Sequence, residues 1–462
     1  MKLTLIGGGG VRAPLFVTSA LRRADRIHLD TLYLMDNNAE KLQVMGAISQ
    51  ESARRMGSSV RIVATEDPEE ALEGAQYVVT SIRVGNDTGR VLDERIALRH
   101  GVLGQETTGP GGFAMAIRSI PKTLDYARLM DKKSPGAWMF NFTNPAGLVA
   151  QALHDEGFSR TVGICDGANT GQTCTARWLH VPASQLRPEV FGLNHLSWVR
   201  RIWLDGKEVL ASLLGDPNFL ADTPMKVFEP SLVQEIGMWI NEYLYYFYYR
   251  ERAVKSLQTA PLTRGEEVLE LNNRLLAQLD DVGMSANSAK ALNIYCNYLN
   301  RRDMTYMYYA RPGSPNPEQA DRSTTQDIDF SNLSEENEGY AGVALDIMEG
   351  LEGDEPVYTA LNVPNGGAIS CMEPDDVVEV SCKVDHSGVN ALSIGTVPEH
   401  QELLMRSVKH YEKLTVRAIR ERSRQGAVMA LMAHPLVLSY SLASVLVDEY
   451  LVAHRQYIGE WH

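Results

Sequence analysis

Basic charge is in short supply in this chain. Its 462 residues carry 44 Lys and Arg against 58 Asp and Glu, a net charge of −14. That balance excludes a nucleic acid or an anionic membrane as an evident partner, because no basic excess exists to neutralise phosphates. An anionic small molecule would have to be caught by a local cluster of arginines. Long apolar runs are missing too: none approaches the roughly 18–20 residues of a membrane span. The opening MKLTLIGGGG holds only a short apolar stretch before its glycines, too little for a signal-peptide core, and a cytoplasmic protein is expected. Cysteines number five, at 165, 174, 296, 371 and 382, scattered and without CxxC spacing. This excludes a disulfide framework and suits a reducing compartment. Internal repeats are absent. Low complexity is confined to ARPGSPNPEQADRSTTQD (310–327), where Pro312, Pro315 and Pro317 break every period and predict a surface loop.

What is present reads as a soluble globular protein, with 44% hydrophobic and 22% charged residues. The length exceeds one ordinary core and predicts two domains. LTLI, bounded by four glycines, has the form of a buried parallel strand, and Pro14 suits the first turn of the helix after it. TLYLM ending at Asp36, RIVAT (61–65), AQYVVTSI (75–82), AWMFNF (137–142) and RTVGIC (160–165) follow, alternating with helical, charged stretches. This alternation predicts an α/β fold, a Rossmann-like doubly wound domain over residues 1–170. Residues 171–462 change character. They carry the aromatic stretch EYLYYFYYRER (242–252), an antiparallel-type strand VVEVSCKV (377–384) and helical periodicity from about 400 to 456. A mixed α+β domain is expected there, and its aromatic richness favours a homo-oligomer.

Gly8-x-Gly10-x-x-Ala13 follows a strand and opens a helix, with Asp36 ending the second strand. In that order Gly7, Gly8, Gly9 and Gly10 would let the backbone approach a pyrophosphate, and Asp36 would take the ribose hydroxyls. A carboxylate there favours NAD over NADP. Arg83 and Arg90 follow another strand end, ahead of QETTGPGG, a glycine-rich turn containing Glu106. Ligands of open α/β sheets bind at the carboxyl ends of strands, so these residues stand where chemistry is expected. Arg90 reads either as a phosphate clamp or as half of a salt bridge. Cys165 in GICDG and His195 in GLNHLSW both follow strand-to-loop breaks. Taken singly each is an ordinary buried residue; together they would suit a borderline divalent ion. Five tyrosines in EYLYYFYYRER form a packing stripe, from which one phenol is a candidate base.

Taken together and in order, IGGGG, IRVG…R…LDERI, GQETTGPGG…RSI, NFTNPAG, GICD, GLNH, NEYLYY, TRGEEV and N-x-x-N-x-G-A-I (362–369) resemble glycoside hydrolase family 4, the NAD- and metal-dependent 6-phosphoglycosidases. The resemblance spans nearly the whole chain. It implies that Cys165 and His195 bind a divalent metal, usually manganese, and that Asn144 contacts sugar hydroxyls beside it. It places Arg90 on the 6-phosphate, Glu106 and Arg264 in the substrate site, and Tyr243 as the catalytic base. The role of Arg12, where the family often has Ser, stays open.

The mechanism implied is a redox elimination and addition in place of the usual pair of carboxylates. Hydride moves from sugar C3 to NAD+, the metal polarises the developing enolate, and Tyr243 removes the C2 proton. The aglycon then leaves, water adds, and the hydride returns. Asp166 bears on the anomer. In the family an Asp at this position marks an α-glucoside group, where it is the proposed leaving-group acid, whereas β-glucoside members often carry Asn. The connection from GLNHLSWVRRIWLDGKEVL to NEYLYY looks more like the 6-phospho-β-glucosidases, so a β-linked substrate is expected, with 6-phospho-α-glucosidase activity as the alternative. A lactate- or malate-type dehydrogenase shares the dinucleotide domain and is the further alternative.

Overall fold

The computed structural model describes residues 1–282, 288–307 and 338–462; the proline-rich segment 310–327 lies outside them. Six short apolar runs form β1 (Lys2–Ile6), β2 (Thr31–Met35), β3 (Arg61–Thr65), β4 (Tyr77–Thr80), β5 (Trp138–Asn141) and β6 (Thr161–Gly163). All pair in parallel, in the order β3-β2-β1-β4-β5-β6. The order reverses beside β1, the point where doubly wound sheets open a crevice. Buried Leu3, Leu5, Ile6, Val78 and Val79 fill the two central strands, as a sheet covered on both faces requires. β4 and β6 are shorter than their apolar runs. Ile82 already donates its N–H to the Thr143 hydroxyl at 3.1 Å, and the chain beyond Gly163 is released from the ladder toward Cys165.

A second, antiparallel sheet contains β7 (Leu186–Leu193), β8 (Leu196–Leu204), β9 (Lys207–Glu208) and β10 (Trp239–Ile240). The expected antiparallel strand at 377–384 is present as β12 (Val377–Asp385), between β11 (Val357–Pro364) and β13 (Gly388–Ala391). These three do not form a sheet of their own. β11 pairs antiparallel with β6, so the Rossmann-like sheet grows to nine strands. The sequence changes character near residue 170, but the sheet does not stop there. A smaller apolar cluster, including Met45, Ile48, Leu271, Leu275 and Tyr295, joins the helix Ala39–Arg55 to the helices Arg264–Val282 and Ser288–Met304.

One buried ion pair anchors the helix that carries Arg90. Asp93, in the helix Asn86–Arg99, accepts two bonds from Arg118 (2.8 and 2.6 Å), and its Oδ1 lies 2.6 Å from His454 Nε2. All three side chains are fully shielded from water. Removing one partner leaves an uncompensated buried charge, which costs about 3–5 kcal/mol. Arg118→Met is therefore expected to lower the urea unfolding midpoint markedly. An unchanged midpoint would show that the pair contributes nothing net.

Candidate functional site

The carboxyl ends of the parallel strands open into a cleft of about 2050 Å³. β1 delivers the glycine turn, β2 Asp36, β4 Arg83, β5 Asn144 and β6 Cys165, all of them lining it. The glycines serve distinct purposes. Gly7 has φ +99°, and a Cβ there would lie 2.3 Å from the Ser81 carbonyl oxygen. Gly8 packs on β2, where a Cβ would meet Leu34 at 2.7 Å, and it does not face the cleft. Gly9, which does, donates its N–H to Asp36 Oδ2 at 3.0 Å. The other Asp36 oxygen accepts the Asn38 N–H, also at 3.0 Å. The acid is thereby oriented beside a bare backbone turn, and the helix Ala13–Arg22 starts immediately after.

His195 reaches the same cleft from the other sheet. It occupies the turn between β7 and β8 in the left-handed region, at φ 62°. Its Nε2 lies 3.3 Å from Cys165 Sγ, and its Nδ1 lies 2.6 Å from Thr107 Oγ1. Thr107 gives its single proton to Gln105 Oε1 at 2.8 Å. The imidazole must then donate from Nδ1, which leaves the Nε2 lone pair facing the sulfur. Bond lengths of about 2.3 Å to sulfur and 2.1 Å to nitrogen imply a separation of roughly 3.1–3.6 Å between two ligands of one ion. The observed 3.3 Å falls inside that span. Burial lowers the His195 pKa to about 4 and raises the Cys165 thiol well above its usual value, so the imidazole is neutral and ready to ligate. Among the described residues no third His, Cys, Asp or Glu completes a metal cluster.

Tyr243 lies flat against His195, with ring centroids 3.8 Å apart and planes 9° from parallel. The Asn241 side chain caps the Tyr243 N–H at 3.1 Å and fixes this entry. Its neighbours behave otherwise: Tyr245, Tyr246 and Tyr249 are buried packing residues. Burial pushes the Tyr243 phenol well above its usual range. Asp166, exposed, has Oδ1 at 4.0 Å from Cys165 Sγ. Burial works against the charge on Arg12, but the carboxylate of Asp166 and other neighbours outweigh it and raise the guanidinium.

Among the described residues eight arginines line the cleft of this acidic protein, Arg12, Arg83, Arg90, Arg264 and Arg302 among them. Arg90 is paired with Glu94 at 2.7 Å and with Glu106 at 3.0 Å, and Arg83 with Glu106 at 2.6 Å. Both sequence readings of Arg90 therefore remain compatible with its place: it is in a salt bridge, and it borders the cleft. Arg264 bonds Glu267 at 2.8 Å and the Arg302 carbonyl at 3.0 Å. The Arg302 Nε is buried and has no hydrogen-bond partner among the described residues. Burial lowers its pKa, and the neighbouring charges of Arg12 and Arg264 lower it further. A surplus of guanidinium with an orphaned donor suits an anion.

The model of a family described as family 4 glycosyl hydrolase matches residues 2–181, and that of its C-terminal domain matches residues 190–437. The chain belongs to this family. It is thus a hydrolase of glycosidic bonds, as the motifs led one to expect. A probable 6-phospho-β-glucosidase of Bacillus subtilis is 28% identical over 100% of this chain and 98% of its own length. A 6-phospho-α-glucosidase of Lacticaseibacillus paracasei is also 28% identical, over 99% of this chain and 98% of its own. The 6-phospho-β-glucosidase of Thermotoga maritima, solved with manganese, NAD+ and glucose 6-phosphate, superposes with a TM-score of 0.81, 25% identity and 99% coverage of both chains.

Every expected site residue except Gly8 borders this one cleft. Several participants were not expected. Thr107 and Gln105 sit in the same QETTGPGG turn as Glu106, so the turn itself was the signal for them. Arg302 and Tyr306, whose hydroxyl donates to Glu242 at 3.0 Å, also line the cleft and offer no motif. Burial pushes Glu106 up, but Arg83 and then Arg90 outweigh it and hold the carboxyl well below the usual range. Its contribution to stability is complete above the unfolded pKa of about 4.3 and is lost as pH falls through the lower folded value. Glu106→Gln should therefore cost on the order of 2 kcal/mol at neutral pH. Urea unfolding across pH should show that difference from the parent shrinking only in strong acid. A gap that stays constant at every pH would show that the Glu106 charge is not responsible.

Proposed function

We propose that this chain hydrolyses 6-phosphoglycosides, most specifically 6-phospho-β-glucosides, with NAD+ and a divalent metal such as Mn²⁺ as cofactors. The observation that carries the reading is the convergence of Cys165 Sγ and His195 Nε2 at 3.3 Å in the cleft that also holds the glycine turn and the arginines. A thiolate and an imidazole fit a borderline first-row dication, and two protein ligands leave its other positions to water and sugar oxygens. Gly9 and the pinned Asp36 fit the pyrophosphate and ribose of NAD+. When bound, NAD+ supplies a reversible hydride acceptor and the ion supplies Lewis acidity.

The chain's own residues do the rest. Arg90, Arg264 and the orphaned donor of Arg302 hold the 6-phosphate, with Glu106 keeping Arg83 and Arg90 apart and oriented. Asn144 binds sugar hydroxyls. Tyr243, stacked on His195, would take the proton as a phenolate, a form that burial alone opposes and that a dication held by Cys165 and His195 would favour. The stretch from GLNHLSW to NEYLYY, which resembles the 6-phospho-β-glucosidases, supports the β-anomer. Leu438, Tyr440, Val445 and Val452, exposed on and just before the helix Tyr440–Ala453, support a homo-oligomer. A phosphorylated substrate suits a cytoplasmic enzyme. Among the described residues no helix is long and apolar enough to cross a membrane.

The test is release of p-nitrophenol from the α- and β-anomers of p-nitrophenyl glucoside 6-phosphate. Cleavage of the β-anomer is expected only when NAD+ and Mn²⁺ are both present, without net NADH. Tyr243→Phe should lose roughly 100-fold or more of kcat. Cleavage confined to the α-anomer would make Asp166 the acid. NADH accumulating without cleavage would move the chain to the dehydrogenases.

A further inference from the structure

The turn QETTGPGG supplies residues to two clusters at once. Glu106 bonds Arg83 and Arg90, while Gln105 and Thr107, before and after it in the chain, serve His195. Three donors converge on Gln105 Oε1: the Thr107 N–H at 2.7 Å, the Thr108 N–H at 2.7 Å and the Thr107 hydroxyl at 2.8 Å. The two backbone donors settle which end of the carboxamide is oxygen, since its nitrogen could accept neither. Gln105 is only 6% exposed, so water competes little for that oxygen. Gly111 and Gly112 let the helix Pro110–Lys133 close on the turn. A Cβ on the first would lie 2.1 Å from the Gln105 carbonyl oxygen, and one on the second 2.4 Å from that of Thr107.

Two of the three bonds shape the backbone, and the third does not. The Thr107 hydroxyl has one hydrogen. Given to Gln105, it leaves Thr107 Oγ1 with lone pairs alone to offer His195 Nδ1, 2.6 Å away. Among the described residues Thr107 is the sole hydrogen-bond partner of that nitrogen. Tyr243 covers one face of the ring, and the Nε2 edge meets Cys165 Sγ at 3.3 Å. A threonine free to turn its hydroxyl could donate to Nδ1 instead. The ring proton would then sit on Nε2 and close that lone pair to a metal.

We propose that Gln105, acting through the Thr107 hydroxyl, is a positioning residue for His195: it holds the imidazole in the Nδ1–H form with the Nε2 lone pair facing Cys165 Sγ. The inference rests on the reading of Cys165 and His195 as a metal pair and extends it to the residues that prepare the histidine. A ligating histidine is commonly fixed through its other ring nitrogen, and such outer partners typically matter by about 10- to 100-fold in metal affinity.

The experiment uses full-length Thr107→Val, Thr107→Ser, Gln105→Met and the double variant of Thr107→Val with Gln105→Met. Nitrogen NMR of metal-free protein labelled in its histidine rings reads the tautomer, with His195 assigned by the signals missing from His195→Gln. Calorimetry reads Mn²⁺ binding, and the thiolate-to-metal charge-transfer band of Co²⁺ reads the part played by Cys165. The parent and Thr107→Ser should share the Nδ1–H form and the same Mn²⁺ affinity. In Thr107→Val and Gln105→Met the proton should appear on Nε2, and Mn²⁺ should bind about 10- to 100-fold more weakly. NAD+ affinity should stay at parent values. The double variant should be no weaker than Thr107→Val alone, since one residue acts through the other. Additive losses there would overturn the inference, as would an Nε2–H form in the parent. So would an unchanged tautomer and affinity in Thr107→Val, which decides the matter even if Gln105→Met fails to fold. Weaker Mn²⁺ binding with the parent tautomer kept would reduce Gln105 to a turn-shaping residue. A parent in the Nδ1–H form that shows no thiolate–cobalt band would overturn the metal reading and leave the hold of Gln105 on the tautomer standing.

Discussion

The pairing of β11 against β6 is the contact on which the site depends. It rests on one register position, Asn362 opposite Gly163, and a Cβ on that glycine would sit 2.8 Å from the Asn362 Cβ. Through this seam the parallel sheet takes on strands from residues nearly two hundred positions later. β12 then receives β7: Ser381 Oγ accepts the Val190 N–H at 2.9 Å and donates to the Pro188 carbonyl at 2.7 Å. That joint carries the β7–β8 hairpin, and its turn brings His195 to the loop after β6. A metal pair drawn from two sheets is as exact as the joint between them, because strands hold their ends to fractions of an ångström where loops do not.

Charge is organised against the average. A net charge of −14 repels an anion at a distance. Inside the cleft guanidiniums are gathered, and those of Arg83, Arg90 and Arg264 are set by carboxylates rather than left to solvent. Glu106 bridges Arg83 and Arg90, which offsets their mutual repulsion and orients their planes. Local geometry overrides the global field because screening confines exposed charges to about 8–10 Å, while groups within a cleft interact across a less polar medium.

The aromatic run after β10 shows how one stripe serves two ends. Tyr245, Tyr246 and Tyr249 face inward and pack, as a run of buried tyrosines at helical spacing normally does. Tyr243 precedes the first full turn, in a short 3-10 segment, and its ring is free to lie on His195. Placement at the mouth of a helix, not the residue type, separates the candidate base from its neighbours.

Much of this was legible in the sequence. The six parallel strands, the glycine turn and Asp36 follow from apolar runs and turn residues close together in the chain, where local periodicity dictates structure. Motif order was enough to name the family and to propose Cys165, His195, Asn144, Arg90, Arg264 and Tyr243. Local signals do not carry pairing between distant segments, so the nine-stranded sheet, continuous across residue 170, could not be read from them. Nor could the His195 tautomer set by Thr107 or the orphaned Arg302 donor. These are relations between side chains brought together by strand register and burial, and register is decided only when the whole sheet closes.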